Sequence, residues 1–185
     1  DEIDELQPIL DRAGHCPALN WMKPGGLDHP TFAPAPLLEP VTSDAQLTTM
    51  YPPELVAPMA ADLVNVGFEE LKTPEQVDKV LASPGTVMCV VNSVCGCAAG
   101  AMRPGVKHSL TGAKRPDKLV TVFAGVDTDA VIRARQHFLP YPPSSPSIAL
   151  FKDGKLVHFV ERHHIEGRTA QMIGDHLTMA FEEFC

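Results

Sequence analysis

Basic charge, long apolar runs and paired cysteines are all scarce in this chain, and each shortage removes a class of function. Lysine and arginine number 15 against 23 aspartates and glutamates, a net charge of −8 over 185 residues. That balance argues against nucleic acid or an anionic membrane as the main partner. No apolar stretch approaches the roughly 18 residues a membrane-spanning helix needs. The first residues, Asp1-Glu2-Ile3-Asp4-Glu5, are acidic where a secretory signal is basic, and no apolar core follows them. A cytoplasmic location is therefore expected, where thiols are mostly kept reduced. Five cysteines are an odd number, and a chain of this length does not need staples, so a disulfide framework is not expected. No glycine-rich phosphate loop follows a strand in the required context, and no organic cofactor is expected.

What remains is a globular composition, 44% hydrophobic, sized for one domain with an appended segment. Ten of the 18 prolines fall in residues 1–58, and residues 12–49 show no sustained helical or strand period. The reading is an irregular, proline-rich leader over 1–49, with one short helical turn at "IDELQPIL", followed by a domain over 50–185. The leader is expected to be an upstream extension or a non-native addition.

From Met50 the pattern becomes regular. Leu55, Met59, Leu63 and Val66 recur at helical spacing, with Gly67 as the stop. "FEELK" reads as a short strand. Thr73, Pro74 and Gln76 stand at the N-cap, first-turn and capping-box places of a second helix. "TVMCVV" and "KLVTVFAGV" are apolar without alternation, as strands covered on both faces are. A helix through "AAGAMRPGVKHSL", kinked near Pro104-Gly105, separates them, and Thr128-Asp129 starts another. "SIALF", Asp153-Gly154 and "KLVHFVE" spell a hairpin, and a last helix covers 168–183. Alternating elements ending in a hairpin predict a mixed sheet with helices on both faces.

The chemistry concentrates in "VVNSVCGCAAG". Cys95 lies where a buried strand hands over to a helix, and the free amides there favour thiolate over thiol. Cys95 is the expected nucleophile and Cys97 the thiol placed to resolve a mixed disulfide on it. Side chains two apart on a helix point about 200° apart, so bridging them needs a local distortion, which Gly96 can permit. The pair is expected to be a comparatively weak reductant with a labile disulfide. Two blander readings stand beside this one. The cysteines could be small buried apolar side chains, or metal ligands completed by His163 and His164, although no second cysteine pair exists. An iron–sulfur cluster lacks its four thiolates.

Other candidates are quieter. Cys89 reads as core, and Cys16 and Cys185 have no site around them. His158, His163 and His164 read as structural, and Glu161-Arg162 and Asp78-Lys79 as solvated charge. Pro146, before "SIALFKDGK", is either an ordinary edge marker or a cis proline beside the active site.

At this point the residues resemble a known family. "PSIALFKDGKLV" is similar to the cis-proline strand and hairpin of thioredoxins. "VVNSVCGCAAG", "RPGV", "VTVFAGVDTDAV", "LPYPPSSPSIALFKDGKLVHFVERHHIEGR" and "EEFC" together resemble the bacilliredoxins, from about Met50 to Cys185. The resemblance implies a thioredoxin-like fold with an extra N-terminal helix. It also implies a cytoplasmic thiol–disulfide oxidoreductase that removes the small thiol bacillithiol from protein mixed disulfides. Cys95 would take up bacillithiol, Cys97 would act second, and Pro146 with Ser145 would shape the groove facing them. Bacillithiol would be co-substrate, and bacillithiolated proteins and a regenerating thiol or reductase the partners; no metal is implied. The chain departs from the family at Ala101-Met102, where an Asn is expected, and residues 1–49 have no counterpart. A general disulfide isomerase or reductase, and a metal-binding or interacting thioredoxin-like module, are the alternatives.

Overall fold

A computed structural model describes residues 50–185; the leader, its expected helical turn and Cys16 lie outside the described residues. Helix α1 spans Pro53–Val64, and the chain leaves it through Gly67 at φ +99°, a conformation open to glycine and strained for other residues. Strand β1 is Glu69–Glu70. Helix α2, Pro74–Leu81, carries the predicted capping box: Gln76 N donates to Thr73 Oγ1 and Thr73 N to Gln76 Oε1. Strand β2, Thr86–Asn92, is buried at every residue. A helical segment then begins at Gly96, passes through a π turn at Ala98–Met102 and continues as α3, Arg103–Ser109. The remaining elements are β3 Lys118–Phe123, α4 Thr128–His137, β4 Ser147–Lys152, β5 Lys155–Val160, α5 Arg162–Ile165 and α6 Ala170–Phe184.

The five strands form one mixed sheet in the order β1-β3-β2-β4-β5. β2 lies parallel to β3 and antiparallel to β4, and β5 closes the far edge as the second arm of a hairpin. With helices on both faces, this is the mixed sheet that the element order predicts and the thioredoxin-like α/β fold that the resemblance implies. The two-residue period of β2 explains its unbroken apolarity. Met88 and Val90 pack with Met102, Val106, Ile173 and Phe181, while Val87, Cys89 and Val91 pack with Leu81, Val120 and Ala134 on the other side. Helices α3 and α6 approach so closely that a Cβ on Gly105 would stand 2.7 Å from Ile173 Cβ and 2.9 Å from the Ala170 carbonyl oxygen.

Four expectations need correcting. On α1, Leu63 is buried, but Leu55 and Val66 are 44% and 37% exposed and Val56 takes the inward place. The helix ends at Val64, so Val66 lies beyond its last turn. The helix break expected at Pro104-Gly105 comes one turn earlier, where Arg103 N donates to the Ala98 carbonyl five residues back. Pro104 has no amide and cannot follow an ordinary turn without a clash; the wider turn before it places Pro104 in the first turn of α3, where its missing donor is tolerated. β3 stops at Phe123 because the chain turns through Gly125 at φ +83°, and Phe123 N donates to the Asp127 carboxylate at 2.9 Å. Asp78 is not merely solvated: it accepts from Arg133 Nε at 2.6 Å and lies 2.7 Å from His137 Nε2, tying α2 to α4.

A histidine pair links the sheet to α6. His158 Nε2 on β5 lies 2.8 Å from His176 Nε2, so one ring donates and the other accepts. Burial, reinforced by neighbouring histidines, pushes both pKa values down to about 4. An unfolded chain protonates histidine near 6.5. As pH falls below that value the unfolded state takes up protons first, so the stability present above about 6.5 drains away towards about 4. Urea titrations are expected to show roughly 2–3 kcal/mol less stability at pH 5 than at pH 7. A His158→Leu/His176→Leu double variant is expected to lose the larger part of that difference; His164, which burial also pushes down to about 4, stays in place and keeps the rest. Asp78 does not confound the measurement, because Arg133 and His137 hold its carboxyl at about 2, below the window. An unchanged pH dependence in the double variant would remove the pair from the explanation.

Candidate active site

The site begins with a buried asparagine at the end of β2. Asn92 is fully buried; its Nδ2 donates to the Met59 carbonyl on α1 at 3.0 Å, and its Oδ1 accepts from Ser93 N at 2.9 Å. The same Oδ1 accepts from Arg103 Nη1 at 3.1 Å, and that nitrogen also donates to the Ser93 carbonyl at 3.1 Å. Arg103 is only 4% exposed. Its Nε reaches Asp62 Oδ2 on α1 at 3.2 Å, and Lys107 Nζ meets the other carboxylate oxygen at 2.5 Å. These cations hold the Asp62 carboxyl below the usual carboxylate range, led by the Lys107 hydrogen bond and opposed by burial. A buried arginine paired with a half-buried aspartate and stitched to backbone and amide groups thus fixes Asn92 and Ser93, the residues at the end of β2 that lead to Cys95.

Cys95 and Cys97 are disulfide-bonded, with Cα atoms 5.5 Å apart, and both are partly exposed. Two donors reach Cys95 Sγ: Ser93 Oγ at 3.2 Å and Ala98 N at 3.3 Å. No donor reaches Cys97 Sγ among the described residues. The Ala98 amide, in the first turn of the helical segment, is shared between Cys95 Sγ and the Cys95 carbonyl at 3.1 Å, and the contacts to Sγ favour negative charge on Cys95 once the bond is reduced. Gly96 is exposed; a Cβ there would meet nothing within 4 Å, and its φ lies outside the left-handed region. Neither crowding nor a special backbone angle at Gly96 calls for glycine.

Cys95 and Ser93 open onto a cleft of about 280 Å³ that Ser145, Arg135 and Arg162 also line. The Ser145–Pro146 bond is cis, and Pro146 is buried behind Ser145. Arg162 braces this segment: its backbone N donates to Ser144 Oγ at 2.7 Å and its Nη1 to the Ser145 carbonyl at 3.3 Å. Of the residues singled out in the sequence, then, Cys95 and Ser145 meet in one cleft, Cys97 is bonded to Cys95, and Pro146 supports the wall. Arg162, read as solvated charge, belongs to the site. Arg135, Arg103, Asn92 and Ser93 carry no sequence signal that marks them.

The remaining thiols and histidines separate cleanly. Burial pushes the Cys89 thiol up to about 12, which leaves it unreactive at neutral pH. The ligand atoms of His163 and His164 group with Glu161 within 4.8 Å of one another, and neither cysteine belongs to that group. The ligand set that would join both histidines to the cysteine pair is therefore not assembled here. No helix among the described residues is long and apolar enough to cross a membrane.

Comparison with known proteins bears on the same region. The family model described as "Disulphide isomerase" matches residues 51–185. A bacilliredoxin of Cytophaga hutchinsonii is 65% identical over 134 residues, covering 72% of this chain and 99% of its own length. Bacilliredoxins of Koribacter versatilis and Geobacillus kaustophilus are 50% and 49% identical, covering 74% and 71% of this chain and 94% and 91% of their own. Among solved structures, oxidized mitochondrial thioredoxin 3 of Saccharomyces cerevisiae aligns at 14% identity with a TM-score of 0.45, over 64% of this chain and 96% of that one. On the strength of the family match and the bacilliredoxin identities, the chain belongs to the bacilliredoxin family of thiol–disulfide oxidoreductases.

Proposed function

We propose that this protein removes bacillithiol from S-bacillithiolated proteins, with Cys95 as the attacking thiol. The observation that carries the assignment is the asymmetry of the pair: two donors converge on Cys95 Sγ, which lines the cleft, and none reaches Cys97 Sγ among the described residues. In the first exchange the Cys95 thiolate attacks the small-thiol sulfur of the mixed disulfide. A Cys95–bacillithiol disulfide forms and the target leaves as its thiolate, with no net change in electrons. In the second exchange Cys97 attacks the Cys95 sulfur, expelling bacillithiol and closing the Cys95–Cys97 bond; alternatively an external small thiol takes bacillithiol away. The closed pair then requires a two-electron thiol reductant. Ser145, with Pro146 behind it, forms the wall against which substrate backbone lies. The cycle suits a reducing, cytoplasmic compartment.

The test uses Cys97→Ala, which stops the cycle after the first exchange. Incubated with a bacillithiolated target and weighed intact, this variant is expected to gain one bacillithiol on Cys95. A trapped disulfide between the variant and the target protein would instead favour a general isomerase or reductase acting on protein disulfides. Absence of both adducts, with metal retained after purification, would favour the binding-module alternative.

A further inference from the structure

Arg135 stands out as a charge without a counter-charge among the described residues. It lies on α4 and lines the Cys95 cleft, yet its buried Nε has no hydrogen-bond partner among the described residues. An unpaired buried donor costs stability, and desolvation works against its charge, drawing its pKa below the ordinary arginine value. Arginine remains protonated in proteins all the same. The other cation of the cleft is already satisfied: Arg162 Nε and Nη2 both lie 2.7 Å from Glu166 Oε1. No acidic side chain is among the described residues that line the cleft, although the chain as a whole carries a net charge of −8. A positive, unneutralised spot beside the sulfur of an acidic protein is out of keeping with its surroundings.

We infer that Arg135 is a recognition point for a carboxylate on the small-thiol half of the mixed disulfide, so that the enzyme selects anionic low-molecular-weight thiols. This rests on the reading of Cys95 as the thiol that captures the small thiol. The guanidinium fork matches a carboxylate in geometry and charge. The group that remains on Cys95 after the first exchange is the small thiol, and a cleft of about 280 Å³ holds a moiety of that size rather than a protein segment. A carboxylate on the target chain is the other possible source, and the test separates the two.

Peptide mixed disulfides with 3-mercaptopropionate and with its neutral amide differ only in the charge of the small thiol. Single-exchange rates on Cys97→Ala give their ratio, and comparing it with the ratio in Cys97→Ala/Arg135→Met cancels intrinsic differences in disulfide reactivity. The carboxylate-to-amide ratio is expected to fall about tenfold when Arg135 is removed, with Arg135→Lys keeping part of it and added salt eroding it. The Arg135→Met protein is also expected to melt no lower than its parent, since a buried unpaired donor has gone. A ratio unmoved by the substitution overturns the inference. So does a tenfold effect that appears only when the carboxylate is shifted to the peptide side. If neither adduct is exchanged by Cys95 at all, it is the assignment of Cys95 that fails, a result distinct from both.

Discussion

Cys95→Ser is expected to turn over mixed disulfides no faster than the uncatalysed reaction, a loss of at least about 10³-fold, while Cys97→Ser is expected still to complete the first exchange. Serine keeps the hydrogen bonds from Ser93 Oγ and Ala98 N but offers an alcohol in place of a thiol, and no exchangeable sulfur. Folding is not at stake, because the side chain is partly exposed and the swap is nearly isosteric. The asymmetry between the two variants is the informative part. Stopped-flow release of the target thiol measures it directly, and equal loss in both variants would mean that the donors around Cys95 do not choose the nucleophile.

Arg103→Met is expected to destabilise the domain by about 3 kcal/mol, with a fall in melting temperature of roughly 10 °C. The substitution leaves the Ser93 carbonyl without its arginine donor and Asp62 with Lys107 alone. Breaking one side of a buried ion pair ranges from about 3 to 5 kcal/mol, and the low end applies because the Asp62 side chain is 37% exposed and can hydrate. Arg103→Lys restores a charge but not the fork that spans Asp62, Asn92 and Ser93, so it recovers only part of the loss. Thermal melts of the reduced protein measure both. A fall of under 1 kcal/mol for Arg103→Met would show that the network is bystander structure.

The same residue marks the boundary of what one-dimensional reading can reach. Elements governed by neighbours in sequence were legible: the Thr73–Gln76 box, the unbroken apolar run of β2, the Asp153-Gly154 turn with both residues at positive φ. The cysteine pair was legible because its chemistry is local. Arg103 was not, since its partners stand 41 and 11 residues away and nothing in "AMRPGV" distinguishes a buried arginine from a solvated one. Arg162 and Arg135 were missed for a related reason. A cleft is assembled from strand ends and helices that meet only in three dimensions, and charge sign along the chain says nothing about which charges lack a neighbour. The α1 face slipped because its apolar spacing continues past the residue where the helix stops.

The wide turn at Ala98–Met102 puts the helix out of phase with itself. One residue more than an ordinary turn is taken up there, which rotates everything before it by about 100° relative to α3. The sulfur end and the packing end of a single helix therefore answer to different angular origins. Excising one residue from that turn would leave Gly105 still nested on α6 while turning the cysteine end out of its present phase with α3.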